Sequence, residues 1–463
     1  MVLYLSKQEQ LDILKKQKLI IDKNLLISYL KNAEKNTLNY INILNSLDTD
    51  KDVLNSDNCI NLPVWQLGHI IDFYMKHTLN LLKYKSNISH TILYNYIKQI
   101  EQQYNIKFKV FFDSFQTSRE IRSSKNICYK RLQMVYKSII KILISYVKTR
   151  KLDVIDNYLI MLSILHNDMH NENFIFTSYY LQNSLLKERL ISNIIVSNEK
   201  KIENPYINIH KGFLHQGSNI SEHRIVFDNE TPSFLVKIDT FKVNKYTITE
   251  YEFLEFVNNC GYSNNNYWCQ NGLYWKNKNK IKHPLYWFNI NNIWYRKHYD
   301  TIHNVGSNIP ICNISWYEAQ AYCKWKNVRL LTETEWEYLA TNLGRNLYPW
   351  GDNPVNSKLC NINNINNYCI NVDSFKSGEN IKGISQLIGN LWEWCEEPIY
   401  PYKNFVIDPI YREMSYPYFG EKKICRGGCF CIQDYLISSS YRNSQLPGCR
   451  IQFIGFRTCL KST

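Results

Sequence analysis

Between Ser6 and Asn198 the chain uses one glycine, Gly68, and one proline, Pro63, and every other glycine and proline lies beyond that stretch. These are the two residue types that most readily interrupt a helix. Apolar residues in the same region recur three and four positions apart, which is the spacing of a buried helical stripe. A bundle of long helices follows. Near residue 200 the composition changes: Gly, Pro, Trp and Tyr become dense, apolar runs shorten and Asn-rich turns multiply. That half is expected to be irregular, with short strands and one or two helices. The polar stretch Val196–Pro205 ends in a proline and reads as the linker. Residues 1–198 and 207–463 are therefore expected to form two domains of an α+β protein, each long enough to bury its own core.

The 55 Lys and Arg outnumber the 41 Asp and Glu. Lysine, asparagine, isoleucine and tyrosine are used heavily along the whole chain, and no Lys/Arg stripe with interleaved aromatics stands out. The formal charge of +14 reads as a solvated surface, and no nucleic-acid partner is expected. The amino terminus lacks a basic start followed by an apolar core and a cleavage site. The most apolar stretches, such as Ile139–Val147, contain a lysine and are too short to cross a bilayer. A cytoplasmic protein without a membrane partner is expected. None of the 14 cysteines is spaced as CxxC, so free thiols are expected rather than a disulfide framework or a zinc ribbon.

His166 and His170 stand four residues apart in Leu165-His-Asn-Asp-Met-His-Asn-Glu-Asn173. On a helix that spacing points two imidazoles the same way, and neutral imidazole is a common ligand for transition metals. A pair of this kind needs a third ligand; without one it is two polar helix positions. The earlier segment Pro63-Val-Trp-Gln-Leu-Gly-His-Ile-Ile-Asp72 offers His69. There Trp65, Leu67, Ile70 and Ile71 read as a buried stripe with His69 at its edge, either as a satisfied core histidine or as a ligand. Together the words Trp-Gln-Leu-Gly-His and His-Asn-Asp-Met-His-Asn-Glu resemble the paired signatures of a DinB-like, four-helix-type bundle. In such bundles one histidine of an early helix and an HxxxH of a later one meet around iron.

The second half carries Phe227-Asp-Asn-Glu230, Lys245-Tyr-Thr-Ile-Thr-Glu-Tyr-Glu-Phe253, Asn313-Ile-Ser-Trp-Tyr-Glu-Ala-Gln-Ala-Tyr-Cys-Lys-Trp325 and Arg329-Leu-Leu-Thr-Glu-Thr-Glu-Trp-Glu-Tyr338. Tyr348-Pro-Trp-Gly-Asp352, Gly389-Asn-Leu-Trp-Glu-Trp394, Arg426-Gly-Gly428 and Ile454-Gly-Phe-Arg457 follow in order. Physically these words are mostly structural. Trp316, Trp325, Trp336, Trp392 and Trp394 suit aromatic packing in a fold poor in regular elements. Arg329, Glu335 and Arg457 read as interior ion-pair partners, and Gly427 and Gly428 allow backbone geometry that a side chain would block. In this order the words resemble the formylglycine-generating-enzyme-like, or sulfatase-modifying-factor, domain, whose fold is related to C-type lectins.

A DinB-like bundle joined to such a domain resembles the sulfoxide synthases of ergothioneine- and ovothiol-type biosynthesis. Cys260–Trp268, Gly272–Trp275 and His283–Trp287 fit that subgroup better than plain formylglycine-generating enzymes. The resemblance implies ferrous iron, Fe(2+), held by His69, His166 and His170, with positions left for a substrate thiolate, an imidazole and dioxygen. It implies a non-haem iron oxidoreductase that joins a thiol, such as cysteine or γ-glutamylcysteine, to the imidazole of histidine or trimethylhistidine and oxidises the sulfur to a sulfoxide. It also implies a tyrosine near the iron as proton or hydrogen donor, with Tyr402 the first candidate and Tyr411 the alternative.

Substrate carboxylates call for arginine or amide donors. Arg119 and Arg122, three apart, either line the entrance to the iron or lie on a solvated helix face. In Tyr441-Arg-Asn-Ser-Gln-Leu-Pro-Gly-Cys-Arg450 the ergothioneine-type pattern has an aromatic–acidic pair and two adjacent arginines. Here Ser444, Gln445 and Cys449 stand in those places and only Arg450 is kept, so the thiol is left open, a selenium analogue included. A protein-cysteine oxidase of the formylglycine-generating type would need a cysteine pair five residues apart after Arg426-Gly-Gly428. The chain has Cys429 and Cys431 there, expected to be packed thiols, and nothing further before Cys449. Thiol dioxygenation and a non-catalytic lectin-like binding module are the remaining alternatives.

Overall fold

The computed structural model describes residues 5–47, 60–86, 91–122, 127–185, 194–196, 199–221, 223–299 and 301–461. The chain divides into two compact units. One comprises Met1–Leu181 with Ile220–Ile225 and Asp408–Tyr411; the other comprises Gln182–Asn219, Val226–Ile407 and Arg412–Thr463.

The helices of the first half are α1 (Lys7–Leu14), α2 (Lys23–Ser46), α3 (Pro63–Phe73), α4 (Asn80–Ser86), α5 (Thr91–Tyr104), α6 (Phe108–Phe111), α7 (Arg119–Arg122), α8 (Tyr129–Thr149) and α9 (Val154–Leu185). A π-helical turn, Tyr74–Leu79, joins α3 to α4. Asp22 caps α2 by accepting from the backbone N–H groups of Asn24 and Leu25, and Leu26, Leu30, Ala33, Thr37, Ile41 and Leu44 form its buried stripe. Pro63 opens α3 at a position where its missing N–H costs nothing. In α8 the buried face is Leu132, Val135, Tyr136, Ile139, Ile140, Leu143, Tyr146 and Val147. Helix α9 differs, being buried on almost every side from Ile155 to His166, as expected of the central helix of a bundle.

The stretch expected to be a linker is bound into the second unit. The backbone N–H of Ile202 donates to Asn308 Oδ1 at 2.9 Å, and Asn308 donates to the carboxylate of Glu199. Glu199 and Asn204 are partners of the buried asparagines Asn308 and Asn244, and by contacts the division between units falls near the end of α9.

The second unit is built on short strands. They are β1 (Ile194–Ile195), β2 (Tyr206–Ile209), β3 (Gly212–Gln216), β4 (Phe234–Ile238), β5 (Phe241–Asn244), β6 (Trp287–Ile290), β7 (Ile293–His298), β8 (Thr301–Asn304), β9 (Val328–Leu330), β10 (Trp392–Pro398), β11 (Lys423–Arg426), β12 (Asn443–Gln445), β13 (Ile454–Gly455) and β14 (Thr458–Leu460). They form sheets of order β1-β8-β7-β6, β12-β11-β10-β13 and β2-β5-β14-β9, and the hairpin β3-β4. Four α-helices accompany them, more than the one or two expected: α10 (Glu250–Asn258), α11 (Gln270–Lys278), α12 (Trp316–Lys326) and α13 (Glu333–Ala340). Local signals account for three, because Thr249 with Glu252, Ser315 with Glu318 and Thr332 with Glu335 each close a reciprocal capping box.

Buried and half-buried ion pairs join the words of the second half. Arg329 meets Glu335 through two 2.7 Å hydrogen bonds, so the carboxylate that caps α13 also anchors β9. Arg457 pairs with Glu393 at 2.9 Å. Arg426, fully buried, donates to Glu337 at 2.6 Å and to Glu333 at 3.1 Å, and Arg442 also donates to Glu333. Gly427 has φ +97°, and a Cβ there would lie 2.8 Å from the Leu387 carbonyl oxygen. Trp336, Trp392 and Trp394 are fully buried, and Trp394 donates its indole N–H to the Ile314 carbonyl at 3.1 Å.

Removing Arg426 leaves Glu337 buried without its cation while Glu333 keeps Arg442, and breaking a buried pair in this way costs about 3–5 kcal/mol. Arg426→Ala is therefore expected to lower the stability of the second unit by that amount, read from its urea midpoint. A loss below about 1 kcal/mol would mean that Glu337 is not held as a charge by this arginine.

Candidate metal centre

Three histidines from two helices meet in the first unit. His69 sits near the end of α3, and His166 and His170 lie one turn apart on α9. One nitrogen of each lies within 4.8 Å of the others, with His166 Nε2 and His69 Nε2 at 3.3 Å.

Local packing explains how each ring is aimed. Gly68 lets α3 approach the segment after α6 closely; a Cβ at that position would stand 2.0 Å from the Phe112 ring. The same approach brings the Phe112 carbonyl to His69 Nδ1 at 2.7 Å. A carbonyl only accepts, so this nitrogen carries the proton and Nε2 keeps its lone pair. His170 is set in the same way, its Nδ1 donating to Gln66 Oε1 at 3.0 Å while the Gln66 amide nitrogen donates to the Asn61 carbonyl. The amide is thus oriented by its own second bond. His166 Nδ1 is buried without a hydrogen-bond partner.

The rings are wedged between aromatic faces. Trp65 stacks on His69 with centroids 5.2 Å apart and planes 9° from parallel, and its indole N–H donates to the Phe111 carbonyl. Phe73 lies flat on His166 at 3.7 Å. Tyr411, part of the same unit, presents its ring edge-on to His166 at 5.6 Å and to Phe73 at 5.0 Å, with its hydroxyl 3.9 Å from Met169 Sδ.

A buried polar ladder fixes the rotation of α9. Asn167 and Asn171 each follow one of its two histidines. Tyr136 donates to Asn167 Oδ1 at 2.6 Å, Asn167 donates to Thr37 Oγ1 at 2.7 Å, and Thr37 donates to Asn171 Oδ1 at 2.8 Å. Asn171 in turn donates to Asp168. Helices α2 and α8 thereby hold one side of α9 while the histidines leave from another.

The donor set suits a transition metal. Burial pushes His69 down to about 4, and burial together with the neighbouring imidazoles pushes His166 and His170 well below the usual imidazole range. All three are neutral at pH 7, the form that ligates. Two ligands about 2.0–2.1 Å from a metal and at right angles to each other stand about 3 Å apart. The 3.3 Å separation of two Nε2 atoms fits that arrangement. Lone pairs that converge in a buried pocket, where a proton is not retained, favour a cation among them.

Other expected site residues lie elsewhere. Arg122 donates to the carbonyls of Thr117 and Ser114 and to Asn61 Oδ1, and its guanidinium rests 4.1 Å from the Trp65 ring. It braces the loop behind His69. Arg119 begins α7, and its side chain lies outside the described residues. Tyr402 belongs to the second unit, where its hydroxyl accepts from Gln216 at 3.3 Å and Arg442 lies 4.1 Å over its ring. Gln445 pairs with Lys423 across β12 and β11. Arg450 is held by Glu318 at 3.1 Å and by the His283 carbonyl. Cys429 and Cys431 are buried with their sulfurs 3.2 Å apart. Gln66 and the Phe112 carbonyl had not been singled out. Gln66 sits inside the Trp-Gln-Leu-Gly-His word and was open to notice; a backbone carbonyl leaves no trace in side-chain pattern.

Residues 192–462 match the family model described as the sulfatase-modifying factor enzyme 1-like domain. A hercynine oxygenase of Mycobacterium tuberculosis is 26% identical over 247 residues, covering 52% of this chain and 57% of that protein. The uncharacterized protein YfmG of Bacillus subtilis is 25% identical over 337 residues, covering 65% of this chain and 64% of its own length. A formylglycine-generating enzyme of Streptomyces coelicolor is 32% identical over 170 residues, covering 32% of this chain and 52% of that enzyme. The chain spans about half the length of the hercynine oxygenases it matches. No described helix is long and apolar enough to cross a membrane.

Histidines whose folded values are depressed contribute stability that is fully present above the unfolded value, and that stability is lost as pH falls through the folded one. Metal-free protein is expected to weaken in its helical unit as pH drops from about 6.5 towards about 4. Urea midpoints across that window, compared with a His69→Gln, His166→Gln, His170→Gln triple variant, measure it. Parallel curves for the two proteins would refute burial of neutral imidazoles.

Proposed function

The chain belongs to the sulfatase-modifying factor enzyme 1-like family, and we propose that it is an iron(II)- and dioxygen-dependent sulfoxide synthase. Its substrates are a small thiol and the imidazole ring of histidine or a trimethylated histidine. The observation that carries this reading is the set of three neutral imidazoles in the helical unit, aimed at one point by the Phe112 carbonyl and Gln66. Relatives named hercynine oxygenase support an oxygenase that acts on a histidine derivative.

His69, His166 and His170 would hold the ferrous ion. When bound it supplies electrons to dioxygen and a positive charge that favours the thiolate form of the thiol. The chain does the rest. The three imidazoles would supply only part of such an ion's donor set, and holding reactants as neighbours converts an encounter into a reaction within one complex. Phe73 and Trp65 keep the ligand rings from swinging and exclude water from their faces. Tyr411 lies against His166, where its hydroxyl holds the proton that the reaction requires. Tyr402, set between Gln216 and Arg442, supports the second unit in this reading.

Arg122 and Arg450 already serve protein acceptors, so neither guanidinium is offered to a substrate carboxylate. The joined product forms one carbon–sulfur bond and one sulfur–oxygen bond, and the second oxygen atom leaves as water.

Anaerobic loading with ferrous iron, then oxygen with histidine or trimethylhistidine and candidate thiols, tests this by product mass. The expected product is the sum of both substrates less two hydrogens plus one oxygen, absent with His166→Ala. Tyr411→Phe is expected to bind iron normally and to lose about 10²-fold or more in rate. Thiol sulfinate as the sole product would replace the reading with a thiol dioxygenase, and absence of both iron uptake and product would replace it with a binding module.

A further inference from the structure

We infer that Asp408 is a positioning residue that, with Tyr158, sets Tyr411 against the histidine cluster; this rests on the role proposed for Tyr411. The segment Asp408–Tyr411 belongs to the helical unit, while Ile407 and Arg412 on either side belong to the other. Four residues therefore place this tyrosine. Asp408 Oδ2 accepts from the Tyr158 hydroxyl at 2.6 Å, and Tyr158 is buried on α9. Asp408 Oδ1 accepts from the backbone N–H of Ile410 at 2.7 Å, and the carboxylate also accepts from the backbone N–H of Tyr411. Between them Pro409 has a fixed φ and no N–H of its own, the composition of a tight Asp-initiated turn.

One carboxylate thus fastens the backbone of residues 410 and 411 to the helix that bears His166 and His170. Tyr158 precedes His166 by eight residues, about 12 Å along the helix at its usual rise. The tyrosine is consequently referenced to α9 three times, through its ring edge on His166, its hydroxyl against Met169 and the Tyr158–Asp408 bond. A proton donor works only within hydrogen-bond reach, and a displacement of about 1 Å costs about 10²-fold in rate. The side-chain contacts set the ring, and the carboxylate adds the constraint on the backbone that carries it.

The test uses the full chain with Asp408→Ala, Asp408→Asn, Tyr158→Phe and Tyr411→Phe. In metal-free protein, hydrogen exchange at the amides of Ile410 and Tyr411 is expected to rise about tenfold in Asp408→Ala. It should return close to the parent value in Asp408→Asn, which keeps an acceptor. In iron-loaded enzyme, Asp408→Ala and Tyr158→Phe are expected to lower kcat, the former about 10²-fold, with little change in KM or iron affinity. Combining Asp408→Ala with Tyr411→Phe should be no worse than Tyr411→Phe alone, since the carboxylate acts through that ring. Unchanged exchange in Asp408→Ala overturns the fastening. Faster exchange with unaltered kcat, or a loss that Asp408→Asn fails to rescue, overturns the positioning role. Full turnover in Tyr411→Phe overturns the role assigned to Tyr411 and this inference with it. That outcome is told apart from the others because the exchange measurement needs no reaction.

Discussion

Three imidazoles packed beside one another, His166 buried and His69 and His170 half-buried, must stay neutral and must point the same nitrogen at the same place, and the helical unit is organised around that requirement. Neutrality comes from burial, which costs a charged ring its hydration. Direction comes from acceptors that lie behind the rings. The Phe112 carbonyl and the Gln66 amide each take the Nδ1 proton of one histidine, leaving Nε2 to converge. Those acceptors arrive only because Gly68 removes a side chain where the Phe112 ring presses on α3, and because Asn61 orients Gln66. The asparagine ladder through Thr37 and Tyr136 then prevents α9 from rotating the other two rings away.

The second unit solves a different problem. Its strands are short and its turns many, so backbone ladders contribute less than they do in a regular sheet. Buried and half-buried arginines compensate by joining carboxylates that already cap helices or lie on strands, as Glu335 does for the half-buried Arg329 and Glu393 for the buried Arg457. A capping carboxylate is well suited to this, because its position is fixed by the helix before the arginine reaches it. Interaction of Arg426 with both Glu333 and Glu337 places two residues one turn apart on α13 under one cation, which ties that helix to β11.

Much of this was legible in the chain. The near absence of glycine and proline before residue 198 implied long helices, and the HxxxH spacing with the Trp-Gln-Leu-Gly-His word implied three imidazoles that the fold brings together. Charges inside apolar words implied interior ion pairs. The helices of the second half were undercounted because their apolar stripes are short, although the Thr/Ser-x-x-Glu caps were present to be read. The arginines were harder. Side-chain type says that a guanidinium can hold a carboxylate, but not whether backbone carbonyls will claim it first, as they do for Arg122.

The tyrosine shows where such reading stops. Among 35 tyrosines, Tyr402 and Tyr411 lie nine positions apart in one irregular stretch, each a short step after a proline. What separates them is which unit takes the residue in. Tyr402 is claimed by Arg442 and Gln216, while Asp408 turns the chain so that Tyr411 reaches Phe73 and His166. The distinguishing signal is therefore the acid and proline that precede Tyr411 by three and two residues. An aspartate–proline turn is usually taken as punctuation, a place where the chain merely changes direction. Here its carboxylate also bonds a buried tyrosine of the helix that carries two of the histidines, so the turn determines which aromatic ring reaches them.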